Sequence, residues 1–261
     1  MKDKSSEDLV KLGVKTYDNC LKIVQGQYQS LEQPIYDTEQ FESINGLFLR
    51  NFRMFKSFLV APSFWVSDLA QIIFRSMTET NIYMKYLNAS SDKDVYRLFK
   101  KYGIGQEKQF KSKLSKYIQD DVIETNSELE SYVDSNSDNE IWDELVDIDL
   151  KNWKNLRELA DENGLKLDYD LYFDRYSPVV HGHYNSLREH YFKRCPKSLH
   201  RNHLVPDWDG PYMSLESIIT GVNLFVKTYM FWIEHWGLDD LLATELDNYF
   251  VEMEKILKEE A

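Results

Sequence analysis

The sequence predicts an all-α protein, a single bundle of about eight to nine helices, and three observations carry that prediction. Apolar residues recur at spacings of three and four over long stretches instead of alternating. Only 10 glycines and 6 prolines interrupt 261 residues, which leaves those stretches free of helix breakers. No two alternating segments flank a turn signal, so no strand pair is expected. Aromatic residues make up 14% of the chain, enough bulk for one large core, and one domain over 1–261 is the expected organisation.

In chain order, a first helix is predicted from about Asp8 to Leu31, with Leu9, Leu12, Val14, Leu21, Ile23 and Val24 forming its apolar side. A second runs from about Thr38 to Leu59, and a third from about Pro62 to Asn88, with Pro62 suited to a first-turn position. The stretch from Asn88 to Asp92 reads as a loop that caps a short helix ending near Tyr102 and Gly103. Helical patterning resumes from about Glu107 to Ser131 and from about Asn139 to Glu162, where Asn163-Gly164 supplies a stop. An acidic loop or insertion near 134–149 holds Asp134, Asp138, Glu140, Asp143, Glu144, Asp147 and Asp149 with no Lys or Arg, a solvated segment. A helix from about Tyr169 to Phe192 follows, then a loop with Pro196, Pro206 and Pro211. Helices from Ser214 to Trp236 and from about Leu238 to Lys258 close the chain.

Charge and cysteine usage exclude several classes. With 44 acidic against 31 basic residues the net charge is −13, which argues against coating nucleic acid or an anionic membrane over the whole surface. Any nucleic-acid site must be local. Cys20 and Cys195 are far apart with no CxxC spacing, so neither a disulfide framework nor a cysteine zinc site is indicated, and a reducing compartment is expected. The N-terminal stretch lacks a signal-like apolar run, and the apolar stretch Ser217 to Ile233 is broken by Lys227, which suits a core helix better than a membrane span. A cytoplasmic protein without a membrane partner is the expectation.

Three constellations could carry chemistry. The first is Tyr172 to Gly182, YFDRYSPVVHG. Ser177 before Pro178 reads as a capped helix start, which puts His181 in or just after a first turn, near free N–H groups that suit an anion. Arg175 stands just upstream, able to fork onto a phosphate. The plainer alternative is an ordinary kink with a solvated Arg175. The second is Arg75 and Glu79, an i,i+4 pair on a nearly all-apolar helix, either a structural ion pair or support for the motif. The third is the basic stretch 185–203, where Arg188, Lys193, Arg194, Lys197 and Arg201 face one acid, Glu189, with Tyr184, Tyr191 and Phe192 interleaved. That mixture suits phosphate contact with base stacking, so RNA or a nucleotide ligand is the expected partner, with Arg188, Lys193 and Arg194 as contacts. Alternatively the stretch pairs with the acidic segment. His181, His183, His190, His200 and His203 crowd the same region, but no HExxH pattern and no cysteine partner completes a zinc signature, so no metal and no cofactor is expected. Neither a GxSxG elbow nor a phosphate-binding glycine loop is present.

Arg175 and His181 form RxxxxxH, which resembles the Rx(4–6)H pattern of the HEPN superfamily of small all-α proteins, many of them metal-independent RNases of toxin, CRISPR and phage-defence systems. The residue after the arginine, commonly polar in that family, is Tyr176 here. Arg75-x-x-x-Glu79 with Tyr172, Ser177 and His181-Gly182 also resembles a large bacterial domain family of unassigned function. That family has an early RxxxE helix and a late YxxxSxxxHG-like segment, and the resemblance covers roughly 48–236. The Tyr-to-Ser gap is one residue longer here. The HEPN resemblance implies that Arg175 stabilises phosphorane charge and His181 moves protons while an RNA 2′-OH attacks its own phosphate, leaving a 2′,3′-cyclic phosphate. It implies a homodimer, an antitoxin or defence-system partner, and Arg75, Glu79, Tyr172 and Ser177 in supporting roles. A non-catalytic phosphate-ligand module and a scaffold subunit of a defence complex are the alternatives.

Overall fold

The computed structural model describes residues 3–36, 38–120, 127–134, 153–197, 200, 203–208 and 214–258. Among them the chain is helical apart from one two-stranded ribbon, as the periodicity predicts. It groups into two compact units, one drawn from Met1–Ile35, Ile44–Ala89 and Leu156–Ala261, the other from Tyr36–Ser43 and Ser90–Asn155.

The larger unit is built on four long helices: α1 (Asp3–Gln29), α2 (Glu39–Val60), α3 (Ser67–Ala89) and, near the end of the chain, Leu215–Trp236. In α1 the inward stripe is Leu9, Gly13, Thr16, Cys20, Val24 and Gln27, at strict three and four spacing. The predicted stripe included Val14, which is exposed; the true stripe takes in the small or polar Gly13, Thr16, Cys20 and Gln27 between Leu9 and Val24, and α1 lies very close to its neighbour at Gly13. Phe48, Phe52, Phe55 and Phe58 of α2 form the aromatic centre. Phe48 stacks on Trp232 at 4.3 Å and Phe55 on Phe225 at 4.1 Å between ring centroids. The ring of Phe58 lies over Gly221, where a Cβ would come within 2.4 Å of it. The third predicted helix divides into a 3-10 turn, Pro62–Trp65, and α3, since Val66 is extended. Trp65 Nε1 donates to the Phe58 carbonyl at 2.7 Å and locks that corner.

In the smaller unit, α4 (Asp94–Gln119) replaces the predicted helix ending near Gly103 and the predicted helix starting at Glu107. Glycine in a helix interior costs only about 1 kcal/mol, and the helical run on both sides outweighs it. Tyr102 and Phe99 meet Trp153, with ring centroids at 5.2 and 5.7 Å. Lys100 pairs with Glu42 at 2.9 Å, and α5 (Ser127–Asp134) contacts α4. Of the acidic segment predicted at 134–149, residues 135–149 lie outside the described residues.

The predicted helix 139–162 is described only from residue 153, and it begins at α6 (Leu156–Glu162), because Trp153 is turned onto Tyr102. Gly164 has φ +72° and stops α6 as expected, with the Leu165 N–H returning to the Ala160 carbonyl at 2.8 Å. After the short α7 (Lys166–Asp168), the one helix predicted over 169–192 is broken into three pieces: a π-helical turn (Tyr169–Asp174), α8 (Ser177–Val180) and α9 (Tyr184–His190). Pro178 has no N–H and obstructs the carbonyl four residues back, while Gly182, at φ +61°, turns the chain left-handed. Next comes a ribbon that the sequence did not predict. Its strands β1 (Phe192–Arg194) and β2 (Leu204–Pro206) are antiparallel, with Lys193 opposite Val205. Three residues per strand leave no room for an alternating pattern to show.

Helix α10 (Leu215–Trp236) packs along α3 and ends at Gly237, at φ +63°. Helix α11 (Ala243–Lys258) starts five residues later than predicted and packs on α1. The intervening residues are held instead by Gln27 Nε2, which donates to the Asp239 carbonyl at 2.8 Å, and by Asp240 Oδ1, which accepts from the Leu242 and Ala243 N–H groups. No described helix is long and apolar enough to cross a membrane.

His235, in the last turn of α10, is held below the ordinary imidazole value by burial. Its protonation therefore opposes folding: the stability it contributes is full above the unfolded value near 6.5 and is lost as pH falls below it. The melting temperature of His235→Gln is expected to drop less than that of the wild type between about pH 7 and pH 5, as measured by calorimetry across that series. Parallel pH profiles for the two proteins would refute this.

Candidate functional site

Helix α3 positions the candidate site. Its Gln71 and Phe74, one turn apart, face a cleft of about 160 Å³ together with Arg175, Tyr176, Ser214, Glu216, Ser217 and Thr220. Arg175 and Tyr176 enter because the π-helical turn and α8 pack against α3. The hydroxyl residues enter because Ser214 stands at the N-cap position of α10 with extended backbone, its N–H donating to the Trp65 carbonyl at 2.9 Å. Spacing of three puts Ser217 and Thr220 on the same side as Ser214.

Within the cleft, the Arg175 guanidinium lies over the Tyr176 ring, 5.6 Å from its centroid, and Tyr176 packs against Phe74 at 6.0 Å. Burial raises the Tyr176 phenol above its usual range, so it stays a neutral donor. The floor is tied to the basic stretch by two bonds from α3. His190 Nε2 meets Gln71 Oε1 at 3.2 Å, and the Tyr191 hydroxyl donates to the buried Asp68 carboxylate at 2.5 Å, which lifts the Tyr191 phenol.

Of the predicted site residues, the cleft takes Arg175 and leaves the others outside its lining. Arg75 stacks over Phe173 at 4.2 Å, with its Nε buried and lacking a hydrogen-bond partner. No ion pair joins Arg75 and Glu79 among the described residues; Glu79 accepts from the Tyr83 hydroxyl at 3.5 Å. Tyr172 lies 6.4 Å from Tyr176, ring to ring. Ser177 is the first residue of α8, not its cap, and makes no capping bond; the cap position is Tyr176.

His181 is exposed and ends α8, which is a single turn, so it stands at the carbonyl end of that turn and not in a field of free N–H groups. Its ring lies 5.8 Å from that of His183, also exposed. Arg188 and Arg194 are exposed, and Lys193 pairs with Asp207 at 2.9 Å.

Sequence reasoning missed Gln71, Ser214, Ser217 and Thr220. The signal available was the polar stripe at 214, 217 and 220 on an otherwise apolar helix.

Residues 42–197 match the model of a family described as a family of unknown function, DUF5677. The chain belongs to that family. The DUF5677 match spans α3, Arg175 and Tyr176 but ends before Ser214, so it takes in one wall of the cleft and not the other. No curated protein and no solved structure matches the chain.

Proposed function

We propose that this DUF5677 chain is a binding module that takes a phosphate group of a nucleotide or of single-stranded RNA at the Arg175 cleft. The observation that supports this most directly is Arg175 itself: the sole cation among the lining residues, braced on Tyr176 and faced by Gln71, Ser214, Ser217 and Thr220 as neutral partners. The cleft, at about 160 Å³, is well below the roughly 300–1,000 Å³ of sites that enclose a whole ligand, so it holds one group while the rest of the ligand lies outside. Glu216 repels a second unpaired anion and suits a sugar hydroxyl as acceptor, which favours phosphate with an adjoining ribose over a bare polyanion.

Two titrations test this, one with a short fluorescent single-stranded RNA and one with ATP, and they separate the two ligand sources. Arg175→Ala is expected to weaken binding of the preferred probe about 10- to 100-fold, as loss of a charged hydrogen bond does, and His181→Ala to change it by less than about two-fold. For RNA, the slope of log affinity against log salt should fall by about 0.7 in Arg175→Ala. Unchanged affinity in Arg175→Ala overturns the proposal.

A second reading, metal-independent endoribonuclease activity, is favoured by the exposed His181 and His183 rings 5.8 Å apart, two imidazoles that could act as acid and base in one chain. Homodimerisation and a defence or antitoxin partner belong to that reading. RNA cleavage by the wild type at saturating RNA with EDTA, reduced about 100- to 10,000-fold in His181→Ala, would replace the binding module with it.

A further inference from the structure

We propose that Cys195, His200 and His203 form a binding site for a divalent transition metal, zinc being the best match, at the mouth of the β1–β2 ribbon. The ribbon register continues past Arg194 and Leu204: the Cys195 N–H donates to the His203 carbonyl at 2.9 Å, which sets these two residues opposite each other. Backbone bonds from the His200 N–H to the Lys197 carbonyl and from the His203 N–H to the His200 carbonyl, both 2.9 Å, turn His200 back over the pair. Cys195 Sγ is then 3.7 Å from His200 Nδ1, and His200 Nδ1 is 3.2 Å from His203 Nδ1. All three ligand atoms lie within 4.8 Å of one another.

The 3.7 and 3.2 Å spacings are close to those of a tetrahedral metal's edges, and closure of the third pair from within 4.8 Å completes the set. Bond lengths of about 2.3 Å to sulfur and 2.05 Å to nitrogen at a tetrahedral angle put sulfur and nitrogen about 3.6 Å apart and two nitrogens about 3.3 Å apart. One thiolate with two imidazoles selects a borderline-soft ion such as zinc over magnesium or calcium, which take oxygen. Three protein ligands leave a fourth position for water or another donor. The ribbon gains most from the ion. Two strands of three residues are marginal by themselves, and a metal joining Cys195 to His200 and His203 closes the loop between them, holding Lys193 and Arg194 in place. The spacing Cys195-x4-His200-x2-His203 stands in the sequence, but it matches no standard zinc signature, and only the ribbon register makes it a cluster.

Cobalt(II) titration of the untagged full chain tests the site independently of any RNA or nucleotide binding. One equivalent should bind with the strong visible bands of tetrahedral cobalt and a thiolate charge-transfer band in the near ultraviolet, and zinc should displace it. Cys195→Ser should abolish the charge-transfer band, and His200→Ala and His203→Ala should each weaken binding on the order of 100-fold or more. Cys20→Ser should leave the cobalt spectrum unchanged, because Cys20 is fully buried and burial pushes its thiol up to about 12. In the Cys20→Ser protein any thiolate band can come only from Cys195, so that spectrum decides the matter even if another variant fails to fold. Absence of one-to-one binding, a weak octahedral spectrum, or a band that survives Cys195→Ser would overturn the proposal and leave the 3.2 Å contact as a hydrogen bond between two imidazoles.

Discussion

Gly13→Ala is expected to destabilise the protein by about 3 kcal/mol, although alanine is the better helix former by about 1 kcal/mol. A Cβ at Gly13 would stand 1.8 Å from the Leu59 carbonyl oxygen and 2.5 Å from its carbon. Both are backbone atoms near the end of α2, so no rotamer change relieves the clash and α1 must move off its neighbour. That movement opens the stripe Leu9, Thr16, Cys20 and Val24 to water. At about 2–4 °C per kcal/mol the melting temperature should fall by roughly 6–12 °C, read by far-ultraviolet circular dichroism. Gly26→Ala in the same helix is the control: nothing lies within 4 Å of its Cβ, so it should stabilise by about 0.5–1 kcal/mol. Loss of stability equal in both variants would show that helix propensity, and not the α1–α2 approach, governs this helix.

A comparable loss is expected for Asn81→Ala, again about 3 kcal/mol. Asn81 is at the centre of a buried polar network joining α2, α3 and α10. Its Nδ2 donates to the Leu224 carbonyl at 3.0 Å, and its Oδ1 accepts from the Thr228 hydroxyl at 2.6 Å. Asn51 Nδ2 reaches Thr228 Oγ1 at 2.9 Å and the Met77 carbonyl at 3.1 Å. Asn51 and Thr228 are fully buried and Asn81 nearly so, so removing the amide strands partners with no access to water, at about 1–3 kcal/mol for each group left unpaired. Chemical denaturation should show a lower midpoint with unchanged slope. The same network holds α3 against α10, the two helices that carry Gln71, Phe74, Ser217 and Thr220, so the ligand affinity of Asn81→Ala should fall along with its stability. A variant as stable as the wild type would mean that water enters the network and satisfies it.

Helix positions in this chain were legible wherever one face is consistently apolar. The spans of α2 and α10 follow from spacing to within a residue, those of α1 and α3 only to within about five at their starts, and Gly164 marks the end of α6 because glycine takes the left-handed conformation that closes it. The net charge of −13 is likewise a property of the sequence, and the interruption of Ser217 to Ile233 by Lys227 marks a core helix there.

Only the tertiary structure could decide what depends on residues distant in the chain. Helical periodicity does not distinguish a stripe that packs closely through Gly13 from one that packs through Val14, and it runs unbroken across Pro178 and Gly182, where the backbone divides into a π-helical turn and two short helices. That division moves His181 from the amide end of a long helix to the carbonyl end of a single turn. Gln71 joins Ser214, and Cys195 joins His200 and His203, through packing and ribbon register. Local sequence specifies the period of an element, whereas a site is made of contacts between elements, and those are set by which surfaces exclude water together.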